Sequence, residues 1–191
     1  RAAFAGLQRE TWDWYAAQLK GLQPIDWLVC NGDAIDGRGG RSGGVEVITP
    51  DLLEQVQIAE ACLREANAAN NLLIYGTPYH VGLDGEDWEA ILADRLGAHI
   101  GGHEWLDIGG TVFDFKHKVG SSGVPHGRHT AVSKERIWNL LWHERDWAVK
   151  ANVLVRSHVH YHEFSGNPTH LALTTPTLQS PGSNYGVRQC S

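Results

Sequence analysis

A chain of 191 residues, 42% apolar and 20% charged, can bury a substantial core, most simply as one domain over residues 1–191. Its net charge of −6, from 16 basic and 22 acidic residues, argues against a broadly cationic nucleic-acid clamp while leaving room for a local basic site. No run approaches the ~18 apolar residues of a membrane span. No secretory leader is recognisable, and Cys30, Cys62 and Cys190 lack zinc-ribbon or C-x-x-C spacing, so free thiols, a cytoplasmic setting and no membrane partner are expected.

In chain order, Leu7, Trp14, Tyr15, Leu19 and Leu22 recur at helical spacing and predict an amphipathic helix ending near Leu22. Residues 25–30 read as a short apolar strand after Pro24, followed by a glycine-rich, mobile loop over residues 37–48. Thr49 and Pro50 read as cap and first-turn proline of a second helix with the stripe Leu52, Val56, Ala59, Leu63 and Ala66. Residues 72–75 form a second strand. Residues 86–96 form a third helix with Trp88, Ile91, Leu92 and Leu96 inward.

The pattern then changes to a hairpin of residues 105–108 and 111–117 around Gly109 and Gly110, which puts Phe113, Phe115 and His117 on one face. A helix over residues 131–147 follows, with Ile137, Leu140, Leu141 and Ala148 as its core-facing stripe. Residues 153–155 make a further strand, and residues 161–165 pair with 171–174 in a last hairpin. The 8 tryptophans fall mostly at inward helical positions and read as core. Helices and strands alternating in this way favour a partly parallel sheet with helices outside.

Four strand ends carry residues suited to chemistry: Asn31-Gly32-Asp33, Gly76-Thr77-Pro78-Tyr79-His80, His117, and Ser157-His158-Val159-His160. In α/β sheets ligands bind just beyond the carboxyl ends of strands, where loops gather side chains from distant parts of the chain. On an extended backbone, His158, His160 and His162 would project to one side and converge on a metal ion. All 11 histidines lie at or after His80, so the first half supplies Asp33 and Asp36 to such a site. Each residue also has a plainer reading. Asp33 and Asp36 suit a tight turn, His117 a satisfied core histidine, and His158 and His160 an exposed edge. Only the ordered set promotes Asp33, His117, His158 and His160 to metal ligands. Asp36 remains a structural or supporting acid, and His162 a surface residue or a support behind the ligands. Thr77 reads as a turn residue before a weak ligand. His126, Arg128 and His129 belong to a solvated loop that could also contact a substrate phosphate.

These blocks, in this order, resemble the calcineurin-like metallophosphoesterases, whose pattern is D-x-H, G-D-x-x-D, G-N-H-[DE], a lone His, and G-H-x-H. Gly32-Asp33-Ala34-Ile35-Asp36 matches the second block, and Ser157-His158-Val159-His160 matches the last with Ser for Gly. His117 stands where the lone His is expected. The third block reads Gly76-Thr77-Pro78-Tyr79-His80, similar to G-T-x-x-H variants of phage-like members. The first block has no counterpart and would lie before Arg1.

The resemblance implies an α/β sandwich of two mixed β-sheets flanked by helices. It also implies hydrolysis of a phosphomonoester or phosphodiester by a metal-bridged hydroxide, with two divalent ions of Mn, Fe or Zn. One ion would take Asp33, His117 and His158. The other keeps only Asp33 as bridge and His160, so the chain as given implies one well-supplied site. His80 is the implied acid for the leaving alkoxide, since an imidazole serves near neutral pH. Two rivals stand beside this phosphatase or phosphodiesterase reading: a Mn-dependent nuclease of the same fold, disfavoured by charge, and a degenerate, non-catalytic structural or interaction protein. Substrate choice would rest on residues 37–48 and 118–130.

Overall fold

A computed structural model describes residues 5–40, 43–81 and 86–178. The chain forms the expected sandwich of two sheets flanked by helices. In the first sheet, β1 (Trp27–Cys30), β2 (Asn70–Ile74) and β3 (His99–Gly101) run parallel in the order β1-β2-β3. In the second, β4 (Glu104–Ile108), β5 (Thr111–Phe115), β6 (Val153–Arg156), β7 (Glu163–Asn167) and β8 (His170–Thr174) lie in the order β4-β5-β6-β8-β7. Both predicted hairpins form, as the antiparallel pairs β4–β5 and β7–β8, while β6 runs parallel to β5 and β8, so this sheet is mixed. No element was predicted at β3, which is three residues long and ends in glycine.

Side-chain alternation sorts the core into layers. Leu72, Ile74 and Phe115 fill the space between the sheets with Val29, Phe113 and Val155. On the outer side of the first sheet, Leu73 packs with Val56 and Ala59 of α2 (Leu52–Arg64) and with Leu92, Ala93 and Leu96 of α4 (Trp88–Leu96). On the outer side of the second, Leu154 and Ala172 meet Val132 of α5 (Pro125–His143). The order is therefore helices, sheet, sheet, helix. No helix among the described residues is long and apolar enough to cross a membrane.

Several expectations are corrected. The first helix, α1 (Ala5–Gly21), forms, but Leu7, Trp14 and Leu22 are exposed and none of its residues is buried. The cap of α2 is Asp51, whose carboxylate accepts from Leu53 N and Glu54 N, while Thr49 instead donates its hydroxyl to Glu54. In α4 the inward row is Glu89, Leu92, Ala93 and Leu96, and Ile91 is exposed. Trp12, Trp14, Trp27, Trp138 and Trp147 are exposed, so tryptophan is not the core residue its placement suggested. Residues 41 and 42 of the predicted glycine-rich loop lie outside the described residues, as does Cys190; Cys30 and Cys62 are free thiols.

The helix α5 is rolled to the opposite side. It starts six residues earlier than predicted and buries Val132, Glu135 and Asn139, leaving Ile137, Leu140 and Leu141 exposed. The reason is polar pairing beneath it. Arg156, 1% exposed, donates from Nε to Glu135 at 2.6 Å and from Nη1 to Asp114 Oδ1 at 2.7 Å. Asn139 donates to Asp114 and to Val149 O, and accepts from Ala151 N. A buried guanidinium without these partners would cost several kcal/mol, on the order of 3–5, which holds the Glu135 and Asn139 face of α5 inward.

Candidate metal centre

The ends of β1, β5 and β6 converge at one edge of the sandwich. Past β1 the chain turns through Gly32 (φ 88°) and Asp33 (φ 54°), which swings the Asp33 carboxylate across to the second sheet. The parallel register of β5 and β6 continues past both strands, since Ser157 N donates to His117 O at 2.9 Å. Asp33, His117 and His158 each offer a ligand atom, and these atoms all lie within 4.8 Å of one another. Among the described residues, this is the group that meets that geometry.

Hydrogen bonding selects the tautomer of His117. Its Nδ1 lies 2.6 Å from Asn31 O, which can only accept, so Nδ1 carries the proton. In the neutral ring that leaves Nε2 as a lone pair, buried, 3.0 Å from Asp33 Oδ2 and without a well-aligned hydrogen bond. Two acceptors facing at this distance require a cation between or beside them, either a proton or a metal ion. Burial opposes a charge on His117, but the Asp33 carboxylate outweighs it and raises the pKa above the usual histidine value. Burial likewise opposes ionisation of Asp33, yet His117, His80 and the Thr77 amide hold its carboxyl down at about 2. At His158, burial first and the neighbouring His117 second lower the pKa, which keeps its imidazole available as a neutral donor. One carboxylate oxygen and two imidazoles suit Mn, Fe or Zn, and three protein donors are the usual complement of a catalytic ion.

The other Asp33 oxygen is held by Thr77, whose amide and hydroxyl donate to Oδ1 at 2.6 and 3.1 Å. Thr77 is thus a carboxylate anchor. His80, on the single-turn helix α3 (Pro78–Val81), sits with Nδ1 2.8 Å from Asp36 O and Nε2 3.8 Å from Asp33 Oδ2. Asp36 is exposed and accepts from Ile48 N.

The histidine phrase is not an extended strand. β6 stops at Arg156, and His158 (φ 68°) and His160 (φ 62°) are both left-handed, with Val159 buried between them. Non-glycine residues in this region cost about 1–3 kcal/mol each, and Asp33, His158 and His160 all adopt it. His160 nevertheless lies outside the three-residue group. His162 turns away, with Nδ1 2.9 Å from Thr174 O, and stacks on Phe164. His126, Arg128 and His129 lie in the first turns of α5 rather than in a loop. Arg128 covers the Tyr161 ring, and His129 stands 3.6 Å from Glu163.

Sequence reading missed three supports. Glu89, 1% exposed on α4, accepts from Ala34 N at 2.9 Å and Gly76 N at 2.7 Å, pinning the loops after β1 and β2. Its place in the apolar row with Leu92 and Leu96 was the available signal. Asn31 Nδ2 donates to Ser157 Oγ at 2.8 Å, joining the β1 and β6 ends. Gly76 lies so close to Asp33 that a Cβ there would collide with its backbone N and Oδ1.

No family model matches the chain, and no curated protein matches it. Among solved structures it is similar to a doubly substituted Vps29 from Entamoeba histolytica, at 14% identity and a TM-score of 0.45, covering 85% of this chain and 63% of that one. Wild-type Vps29 from the same organism, complexed with Zn, matches at 14% and 0.41 over 80% and 58%. A conserved Streptococcus pneumoniae protein described as a predicted phosphoesterase matches at 11% and 0.41 over 93% and 71%. The chain thus spans a little under two thirds of the Vps29 chains it matches. Similarity at this level transfers no chemistry.

Proposed function

We propose that the chain is a metal-dependent phosphoesterase acting on a phosphomonoester or phosphodiester. The observation that carries this reading is the facing of His117 Nε2 and Asp33 Oδ2 at 3.0 Å beside His158, a donor set in need of a cation. Bound there, a Mn, Fe or Zn ion would supply positive charge against phosphoryl oxygens and favour ionisation of water. Asp33, His117 and His158 hold it, and a second ion would share Asp33 and draw on His160. Thr77 and Asn31 orient the donors. With Nδ1 donating to Asp36 O, His80 keeps Nε2 toward the site, and as the doubly protonated imidazolium it would pass the Nε2 proton to the departing alkoxide oxygen and be left neutral.

The test is release of nitrophenol from p-nitrophenyl phosphate and bis-p-nitrophenyl phosphate with Mn, Fe or Zn added singly, beside cleavage of single-stranded DNA. Metal-dependent turnover that Asp33→Asn abolishes is expected. Cleavage of DNA alone would favour the nuclease reading. Cation binding without turnover of any ester would move the chain to the interaction proteins.

A further inference from the structure

The outward face of α5 carries exposed apolar residues, with Trp138 stacked on Trp142 one turn along the same helix. Ile137 is 57% exposed, Trp138 48% and Leu141 47%. At roughly 100° per residue, these share a stripe with Lys134 and Glu144, opposite the buried Val132, Glu135 and Asn139. Beyond the helix end, Trp147 and Val149 add further exposed apolar surface. The helix cannot roll to hide the stripe, because Glu135 and Asn139 are tied to Arg156, Lys116, Asp114 and Ala151 below it. Contiguous apolar surface of this kind marks an interaction site.

The order of residues along the stripe identifies the occupant. Lys134, Ile137, Leu141 and Glu144 are placed symmetrically about the level of Asn139, with opposite charges at the two ends. Two such helices laid antiparallel about a two-fold axis set Ile137 against Leu141 and Lys134 against Glu144, each contact occurring twice. Among the described residues neither Lys134 nor Glu144 forms an ion pair within its own chain. Arg145, which would set a like charge against Lys134, is instead folded back over the Trp147 ring at 5.1 Å. We propose that this face of α5 is a self-association surface whose occupant is a second copy of the chain in an antiparallel helix pair. A foreign acidic or basic partner would use one end of the stripe and be repelled by the other. The stripe is about 15 Å long by helix rise and about 10 Å wide, a footprint well below the ~800 Å² per partner of a standard interface, so a reversible, micromolar dimer is expected.

Sedimentation velocity on the full chain, over a series from low to high micromolar concentration, tests this directly. A monomer–dimer equilibrium is expected. Trp138→Ala should weaken it by at least about 30-fold, as loss of an aromatic anchor does. Lys134→Glu should weaken it about threefold to tenfold through two repelling pairs. The combined variant Lys134→Glu with Glu144→Lys should recover the original association. Because these positions are exposed, thermal melting should change little and serves as the folding control. The proposal is overturned by a monomer throughout, by a dimer indifferent to Trp138→Ala, or by failure of the charge exchange to rescue Lys134→Glu.

Discussion

The backbone oxygen of Asn31 and the Nδ1 of His117 lie 2.6 Å apart, and this bond dictates which face of the imidazole is open to a cation. It also ties the end of a strand in the first sheet to the end of one in the second.

From this follows a thermal test of the centre. A divalent ion at ~100 times its Kd should stabilise the fold by about 2.7 kcal/mol, or about 5–10 °C in Tm for a domain of this size. A chelator should reverse the shift and His117→Ala should remove it. Because the metal displaces the proton that Asp33 favours on His117, affinity should fall as pH drops through the raised His117 pKa. Fluorimetry with Mn, Fe and Zn reads this out, and an unchanged Tm with all three would dispose of the centre.

Gly32→Ala should damage the site more than its size suggests. An added Cβ would lie 2.5 Å from His117 Nδ1 and 2.9 Å from Gly76 Cα, at a backbone φ of 88°. The expected cost is about 2–4 kcal/mol from strain and crowding together. Urea unfolding with isothermal titration of Zn should show lower stability and a metal affinity reduced at least tenfold. Undiminished affinity would mean that the β1 turn does not set the donor spacing.

Glu89→Gln separates loop anchoring from mere burial. The carboxylate accepts two backbone N–H groups through different oxygens, and a carboxamide offers one acceptor and turns an NH2 toward the other. A loss of roughly 1–3 kcal/mol is expected from the stranded donor. Metal affinity should fall with it, since Ala34 and Gly76 flank the Asp33 carboxylate. Equal stability in the two proteins by urea unfolding would count against the anchor.

Asp114 gives an acid-side prediction. Burial opposes its ionisation, but His103 and Arg156 outweigh this and lower its pKa. The folded chain then binds fewer protons there than the unfolded one, so stability rises with pH across that window. The contribution is complete above the unfolded value of about 3.9 and disappears as pH falls through the lowered folded value. Asp114→Asn should lower stability at pH 7 by about 3–5 kcal/mol, as removal of one partner from a buried pair does. It should also flatten the Tm profile below pH 4. An unchanged acid slope would place the titrating group elsewhere.

Much of the frame was legible because its signals are local. Asp33 follows an apolar run and a glycine, and His117 ends the row begun by Phe113 and Phe115. What escaped depends on partners remote in sequence. Glu89 shares the row of Leu92 and Leu96, but what it does there depends on Ala34 N and Gly76 N, which bond it from two separate loops. The roll of α5 follows from Arg156 on β6, whose guanidinium needs Glu135 more than the core needs Ile137. The alternation of His158 and His160 imitates a strand, although both residues are left-handed, and the group whose ligand atoms lie within 4.8 Å of one another joins His158 to Asp33 and His117.

The centre draws its oxygen donor from one layer of the sandwich and both nitrogen donors from the other. The two sheets act as the jaws of a calliper whose opening is gauged by Leu72, Ile74 and Phe115, packed between them. Trimming Phe115 would loosen that spacing, and with it the separation of Asp33 from the two imidazoles, with no donor atom touched.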